Sequence, residues 1–129
     1  KAFEFLREAY RDRLLAAVYR EEALAALLAQ DPGASTLEAV KAVVEEEWSR
    51  KDPAVLDFTA RRLAAAKLPG LGELFRRFLE SPNVAVRLYG LRGIRGNRLE
   101  TLRAEVRELS EKDPHPAVRG EAQAVLDAL

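Results

Sequence analysis

The stretch SPNVAVRLYG at residues 81–90 is echoed 32 positions later by DPHPAVRGEA at 113–122. In both, a residue with a side-chain oxygen and a proline at the turn lead into a Val-Arg pair, and a small residue follows the valine by four places (Gly90 after Val86, Ala122 after Val118). Repetition of this kind restricts a chain to architectures in which similar units stack, because one unit alone carries too narrow an apolar stripe to bury. Val86, Gly90 and Ile94 match Val118, Ala122 and Leu126 at a shift of 32, and match Val55, Thr59 and Leu63 at a shift of 31. Each trio reads apolar, small, apolar at i, i+4, i+8. The intervening segments carry a second signature at i, i+3, i+7: Leu37, Val40, Val44; Leu71, Leu74, Phe78; Leu99, Leu102, Val106. Both spacings put one stripe on one helix face. Two helix types therefore alternate with a combined period near 31 residues.

Composition agrees with helix throughout. Ala and Leu supply 42 of 129 residues and Ile94 is the single isoleucine, so summed propensity favours helix almost everywhere. Six clusters containing Gly or Pro, at 31–33, 52–53, 69–70, 81–82, 96–97 and 113–114, predict six breaks between helices. Ser35 with Glu38 and Asn97 with Glu100 have capping-box spacing, while Ser81-Pro82 and Asp113-Pro114 place an acceptor at the N-cap and proline at the first helical position. From Ala2 to Gln30 there is neither Gly nor Pro. That span predicts one long helix, or two with a bend near Tyr19 to Glu22.

A length of 129 residues is that of a single domain, 1–129, with irregular helices over 1–34 and repeats over 35–129. The absence of cysteine excludes disulfides, thiolate catalysis and Cys-based zinc or iron-sulfur sites, and a reducing cytoplasmic setting is the expectation. No apolar run reaches the roughly 18–20 residues that a membrane span requires. The sequence opens at Lys1 and holds no methionine, so the expectation is either that a few residues have been removed or that this is a piece of a longer chain. Arginine supplies 16 of 21 basic residues, and scarcity of Asn, Gln, Cys and Met is a composition seen in heat-adapted proteins, so a thermophilic source is an expectation. Net charge is zero but unevenly spread. Residues 1–60 hold 8 basic against 12 acidic side chains, 61–107 hold 11 against 4, and 108–129 hold 2 against 5.

With these features in hand, SPNVAVRLYGL and DPHPAVRGEAQAVL resemble the first helix of HEAT repeats, in particular the short bacterial type with Asp-Pro at the turn and Val-Arg after it. The likeness covers 52–129, takes in 35–51 as a second-type helix, and reaches 1–34 only through periodicity. It implies an all-α fold, a right-handed α-solenoid of about three and a half antiparallel helical hairpins. It also implies that a turn Asp and the Arg six residues later tie neighbouring repeats together, which here falls on Asp113 and Arg119. Ser81 stands where that Asp is expected, and no Arg follows Val55.

The candidate binding surface is Arg87, Tyr89, Arg92, Arg95 and Arg98, interleaved with Gly90, Gly93 and Gly96 and extended by Arg61 and Arg62. Arginines beside a helix with little side-chain bulk suit a phosphate backbone. The competing reading gives the glycines to helix packing and pairs the arginines with Glu73, Glu80, Glu100 and Glu105. Arg87 and Arg119, beside inward-facing valines, are also expected as braces between repeats. A remote likeness to HEAT-like DNA glycosylases for alkylated bases implies roles for Trp48, Asp52 or Asp57, and Arg87 around a lesion, against the plainer reading of Trp48 as an anchor. His115, the only histidine, is expected at the surface, and Glu45-Glu46-Glu47 as a solvated face. No catalytic, cofactor or metal residues are assigned. The last helix, with Val118, Ala122, Val125, Leu126 and Leu129, has no second-type helix after it. Missing chain, a partner or a second copy in a homodimer would cover it. The expected function is a non-catalytic HEAT-like scaffold for a protein partner, with nucleic-acid binding through the basic centre as the alternative.

Overall fold

A computed structural model describes residues 2–129, and every regular element among them is helical. The helices are α1 (Glu4–Arg11), α2 (Ala17–Gln30), α3 (Ala34–Glu47), α4 (Ala54–Ala64), α5 (Gly72–Phe78), α6 (Val84–Gly96), α7 (Arg103–Lys112) and α8 (Pro116–Ala128), with a 3₁₀ turn at Glu100–Leu102 before α7. All six predicted breaks occur. A seventh, at residues 12–16, carries neither Gly nor Pro: Asp12 stops α1, its Oδ1 accepting from the Leu14 N–H (2.9 Å) and its carbonyl from the Leu15 N–H. The bend expected near Tyr19 to Glu22 is absent, since those residues lie inside α2. No helix of the described residues is long and apolar enough to cross a membrane.

The chain divides into two compact units, one ending at Arg62 and one running Leu63–Leu129, a division inside α4. In the first unit α1 packs on α2 and α3, around Tyr10, Leu24, Leu27, Val40, Val43 and Val44, none of which is exposed. In the second, α5 packs on α6, α7 on α8, and α6 on α8. Its core includes Phe75, Phe78, Leu91, Ile94, Val106, Val118 and Val125. Of the nine residues in the three i, i+4, i+8 trios, eight are buried and Leu126 is half-buried. The stripe that repeats in the sequence is thus the stripe that leaves water.

Several caps sit elsewhere than their motifs predict. Ser35 is already inside α3, whose N-cap is Gly33; Thr36 Oγ1 instead donates to the Asp31 carbonyl (2.6 Å). Asn97 closes α6 rather than opening α7, its Nδ2 donating to the carbonyls of Ala66 (3.2 Å) and Gly93 (3.0 Å). The N-caps of α6 and α8 are Asn83 and His115, each two residues past the predicted Ser81 and Asp113. Pro82 and Pro114 accordingly lie in the turns, and Pro116 takes the first position of α8.

Candidate binding surface

The turns before α4, α6 and α8 are built alike. Asp52 Oδ1 accepts from the Ala54 N–H (3.0 Å), Ser81 Oγ from the Asn83 N–H (3.1 Å) and Asp113 Oδ1 from the His115 N–H (2.9 Å). Each is a side-chain oxygen bonding the amide two residues on, with proline between. In the last two turns the arginine six residues later reaches back: Arg87 Nη1 to the Ser81 carbonyl (2.9 Å) and Arg119 Nη1 to the Asp113 carbonyl (2.7 Å).

Arg87 also joins the two turns. Its Nε donates to Asp113 Oδ2 (2.9 Å) and its Nη2 to Asp113 Oδ1 (3.1 Å), a two-pronged pair with side chains 10 % and 2 % exposed. A planar guanidinium suits this because it satisfies both carboxylate oxygens and a carbonyl at once. Arg119, which the resemblance pairs with Asp113, serves the carbonyl of that residue; the carboxylate belongs to Arg87. All three guanidinium nitrogens of Arg87 are thereby occupied below the surface. Neither a binding face nor contact with a DNA lesion can draw on them.

The rest of the α6 cluster is outward. Tyr89, Arg92 and Arg95 follow one another at spacings of three, each beside the one before on the helix surface; Tyr89 is half-buried and both arginines are exposed, as is Arg98 just beyond. The Arg92 guanidinium lies 5.8 Å from the centre of the Tyr89 ring, within cation-π range. Among the described residues none of these three arginines has an ion-pair partner: Glu73 and Glu80 go to Arg76 (2.8 and 3.9 Å). Arg98 adopts φ 51°, a left-handed conformation uncommon outside glycine. Gly90 and Gly93 face inward, whereas Gly96 is exposed. A Cβ on Gly93 would stand 2.3 Å from Phe75 Cε1, and one on Gly90 2.9 Å from Phe78 Cβ, so these two let α5 and α6 approach and open nothing to a ligand. Arg61 and Arg62 lie in the first unit, where both contact Glu21 Oε2 (3.1 and 2.9 Å). Burial opposes ionisation of Glu21, but the hydrogen bonds from Arg62 and Arg61 outweigh it and hold the carboxyl below its ordinary range.

In the first unit a polar cluster lies inside the core, unannounced by the sequence. Arg20 (3 % exposed) donates from Nε to the Tyr10 carbonyl (2.7 Å) and sits 3.6 Å from Glu47 Oε2. Glu47 is also 3.5 Å from Arg50, so one member of the predicted solvated Glu45-Glu46-Glu47 face is buried. The Tyr10 hydroxyl shares a 2.9 Å hydrogen bond with Thr59. Burial pushes the Tyr10 phenol far above its ordinary pKa, and the Thr59 bond offsets only part of that. Two open grooves flank this core. One, of about 830 Å³, runs along α1 and α3 past Glu4, Arg7, Glu8, Asp12 and Glu38. The other, of about 450 Å³, is floored by Val18, Pro53, Ala54 and Phe58 and edged by Glu21, Asp52, Asp57 and Arg61.

Two sequence expectations concern the chain's later part. His115 is exposed, and its Nδ1 accepts from the Ala117 N–H (3.1 Å). The outward residues of α8, including Ala117, Gly120, Gln123, Ala124, Asp127 and Ala128, are small or polar, and none of the large exposed hydrophobics lies on α8. Of the apolar residues on which a homodimer was expected, Val118, Ala122 and Val125 are buried and Leu126 and Leu129 half-buried, so α8 offers a second copy no strongly exposed large hydrophobic. Trp48 is half-buried at the C-cap of α3. No group of three or more His, Asp or Glu side chains among the described residues is placed to hold a metal ion. Comparison with protein-family models, with curated proteins and with solved structures finds no match for this chain.

Proposed function

We propose that the chain is a non-catalytic scaffold of HEAT-like helical hairpins that presents a preformed surface to a protein partner. The observation that carries this reading is the Arg87–Asp113 clamp between two turns sharing the same internal hydrogen bonds. Two copies of one turn, locked to each other by a buried bidentate pair, are the joint that stacked repeats need. A solenoid of such hairpins holds its surface rigid before binding, so little conformational entropy is lost when a partner docks. The test is affinity purification with the tagged protein from its native lysate, followed by calorimetry with any protein retained. A defined protein that rebinds at a fixed ratio supports the scaffold, and nothing retained above a bead control refutes it.

A second reading, nucleic-acid binding, is favoured by one observation: Arg92, Arg95 and Arg98 are exposed and lack ion-pair partners among the described residues. Titration against labelled duplex DNA at two salt concentrations tests it. Saturable binding that weakens steeply with salt and disappears in a folded Arg92→Ala/Arg95→Ala/Arg98→Ala variant supports this reading, and no binding at low salt rules it out.

A further inference from the structure

We infer that a second copy of this chain is the partner of an apolar patch on the first unit, with the copies meeting head to tail. The patch is Leu14, Val18 and Tyr19, and it receives the Tyr89–Arg92–Arg95 face of the other copy's α6. The inference names a partner for the scaffold proposed above and rests on that reading.

The described residues include four strongly exposed large hydrophobics, and three of them fall within six positions: Leu14 (96 %), Val18 (57 %) and Tyr19 (56 %). Single exposed leucines are ordinary, but a cluster with one leucine almost wholly in water marks a surface that something covers. Leu14 has no local cause for its position beyond the Asp12 turn that ends α1. Val18 continues the patch into the 450 Å³ groove, whose floor is apolar and whose edge carries three carboxylates against Arg61. Glu21 is already held by Arg61 and Arg62, whereas Asp52 has no ion-pair partner among the described residues and Asp57 lies 3.9 Å from a half-exposed Arg61. The occupant that fits is therefore a helix face combining an apolar or aromatic body with cations.

This chain itself displays such a face. Tyr89, Arg92 and Arg95 supply the aromatic body and two uncommitted cations along α6. The charges match across the chain as well: up to Arg62 it holds 10 basic against 12 acidic residues, and from Leu63 onward 11 against 9. With zero net charge, no long-range repulsion keeps copies apart, while the net negative stretch of one copy attracts the net positive stretch of another. Contact between two different surfaces is heterologous, and unless the rotation closes into a ring it propagates into chains of molecules.

Sedimentation velocity over a range of protein concentrations tests the proposal. The expected result is a mean mass that rises with concentration beyond a dimer and falls when salt is raised from about 50 to 500 mM, since rim charges are screened over that range. Leu14→Ser/Val18→Ser and Arg92→Glu/Arg95→Glu alter exposed side chains only; each variant alone should be monomeric, at least tenfold weaker in self-association. Mixed in equal amounts, they should form a dimer that grows no further, because each retains the surface that the other has lost. A wild-type chain that stays monomeric at every concentration overturns the proposal. So does association that survives Arg92→Glu/Arg95→Glu, or a mixture that stays monomeric. The scaffold reading is judged separately, by whether a different protein is retained and rebinds.

Discussion

Replacing Arg87 by alanine removes three charge-assisted hydrogen bonds at once, to Asp113 Oδ2, Asp113 Oδ1 and the Ser81 carbonyl. The Asp113 side chain, 2 % exposed, is left with the His115 N–H on Oδ1 as its remaining bond. Truncating one member of a buried ion pair costs about 3–5 kcal/mol, because the other charge stays buried without compensation. That is a large part of the roughly 5–15 kcal/mol by which a domain is stable. Urea unfolding followed by circular dichroism should show the midpoint falling by roughly 1.5–3 M, taking m at about 1.5–2 kcal/mol/M. The Arg87→Ala/Asp113→Ala double variant should be less unstable than the two single losses sum to, by about 1–3 kcal/mol of coupling. Arg87→Lys should recover only part of the loss, since an ammonium cannot bond both carboxylate oxygens and the Ser81 carbonyl in one plane. A loss for Arg87→Ala below about 1 kcal/mol, the scale of an exposed pair, would refute the reasoning, as would additivity in the cycle.

Gly93→Ala should destabilise by about 1–3 kcal/mol through overpacking against Phe75, a loss that Phe75→Leu partly relieves, whereas Gly120→Ala on the open side of α8 should stabilise by about 0.5–1 kcal/mol; thermal melts of both decide it. The buried Tyr10 phenol keeps its proton above the ordinary tyrosine value, so its contribution is intact below about pH 10 and is lost as pH rises past it, by up to about 1.4 kcal/mol per pH unit. Tyr10→Phe should flatten that alkaline limb in a stability-against-pH series, and an unchanged slope contradicts the assignment. For Glu21 the sign is opposite: its depressed carboxyl stabilises above the ordinary carboxylate value and ceases to as pH falls. The gap between wild type and Glu21→Gln should therefore close on acidification, from a starting size under about 1 kcal/mol because both arginine partners are over 40 % exposed.

The sequence by itself determined the helical class, six of the seven breaks and the buried stripes, because these follow from local propensity, Gly and Pro punctuation and i, i+3, i+4 spacing. It also marked the turn motif and the outward Arg92, Arg95 and Arg98. What only the tertiary structure decided is which partner each polar group takes. Asp113 goes to Arg87 rather than Arg119, Glu47 of an apparently solvated run goes inside to Arg20, and Asn83 and His115 replace the predicted caps. The break at residues 12–16 has no Gly or Pro to mark it, because an aspartate turn makes it. Gly90 and Gly93 suit a neighbouring helix or a ligand on sequence alone, and the proximity of Phe75 and Phe78 settles them as packing residues. Periodicity fixes which face of a helix leaves water, since that depends on side chains a few positions apart. A buried charge takes the partner that the fold brings close to it, and that proximity in space has no signature along the chain.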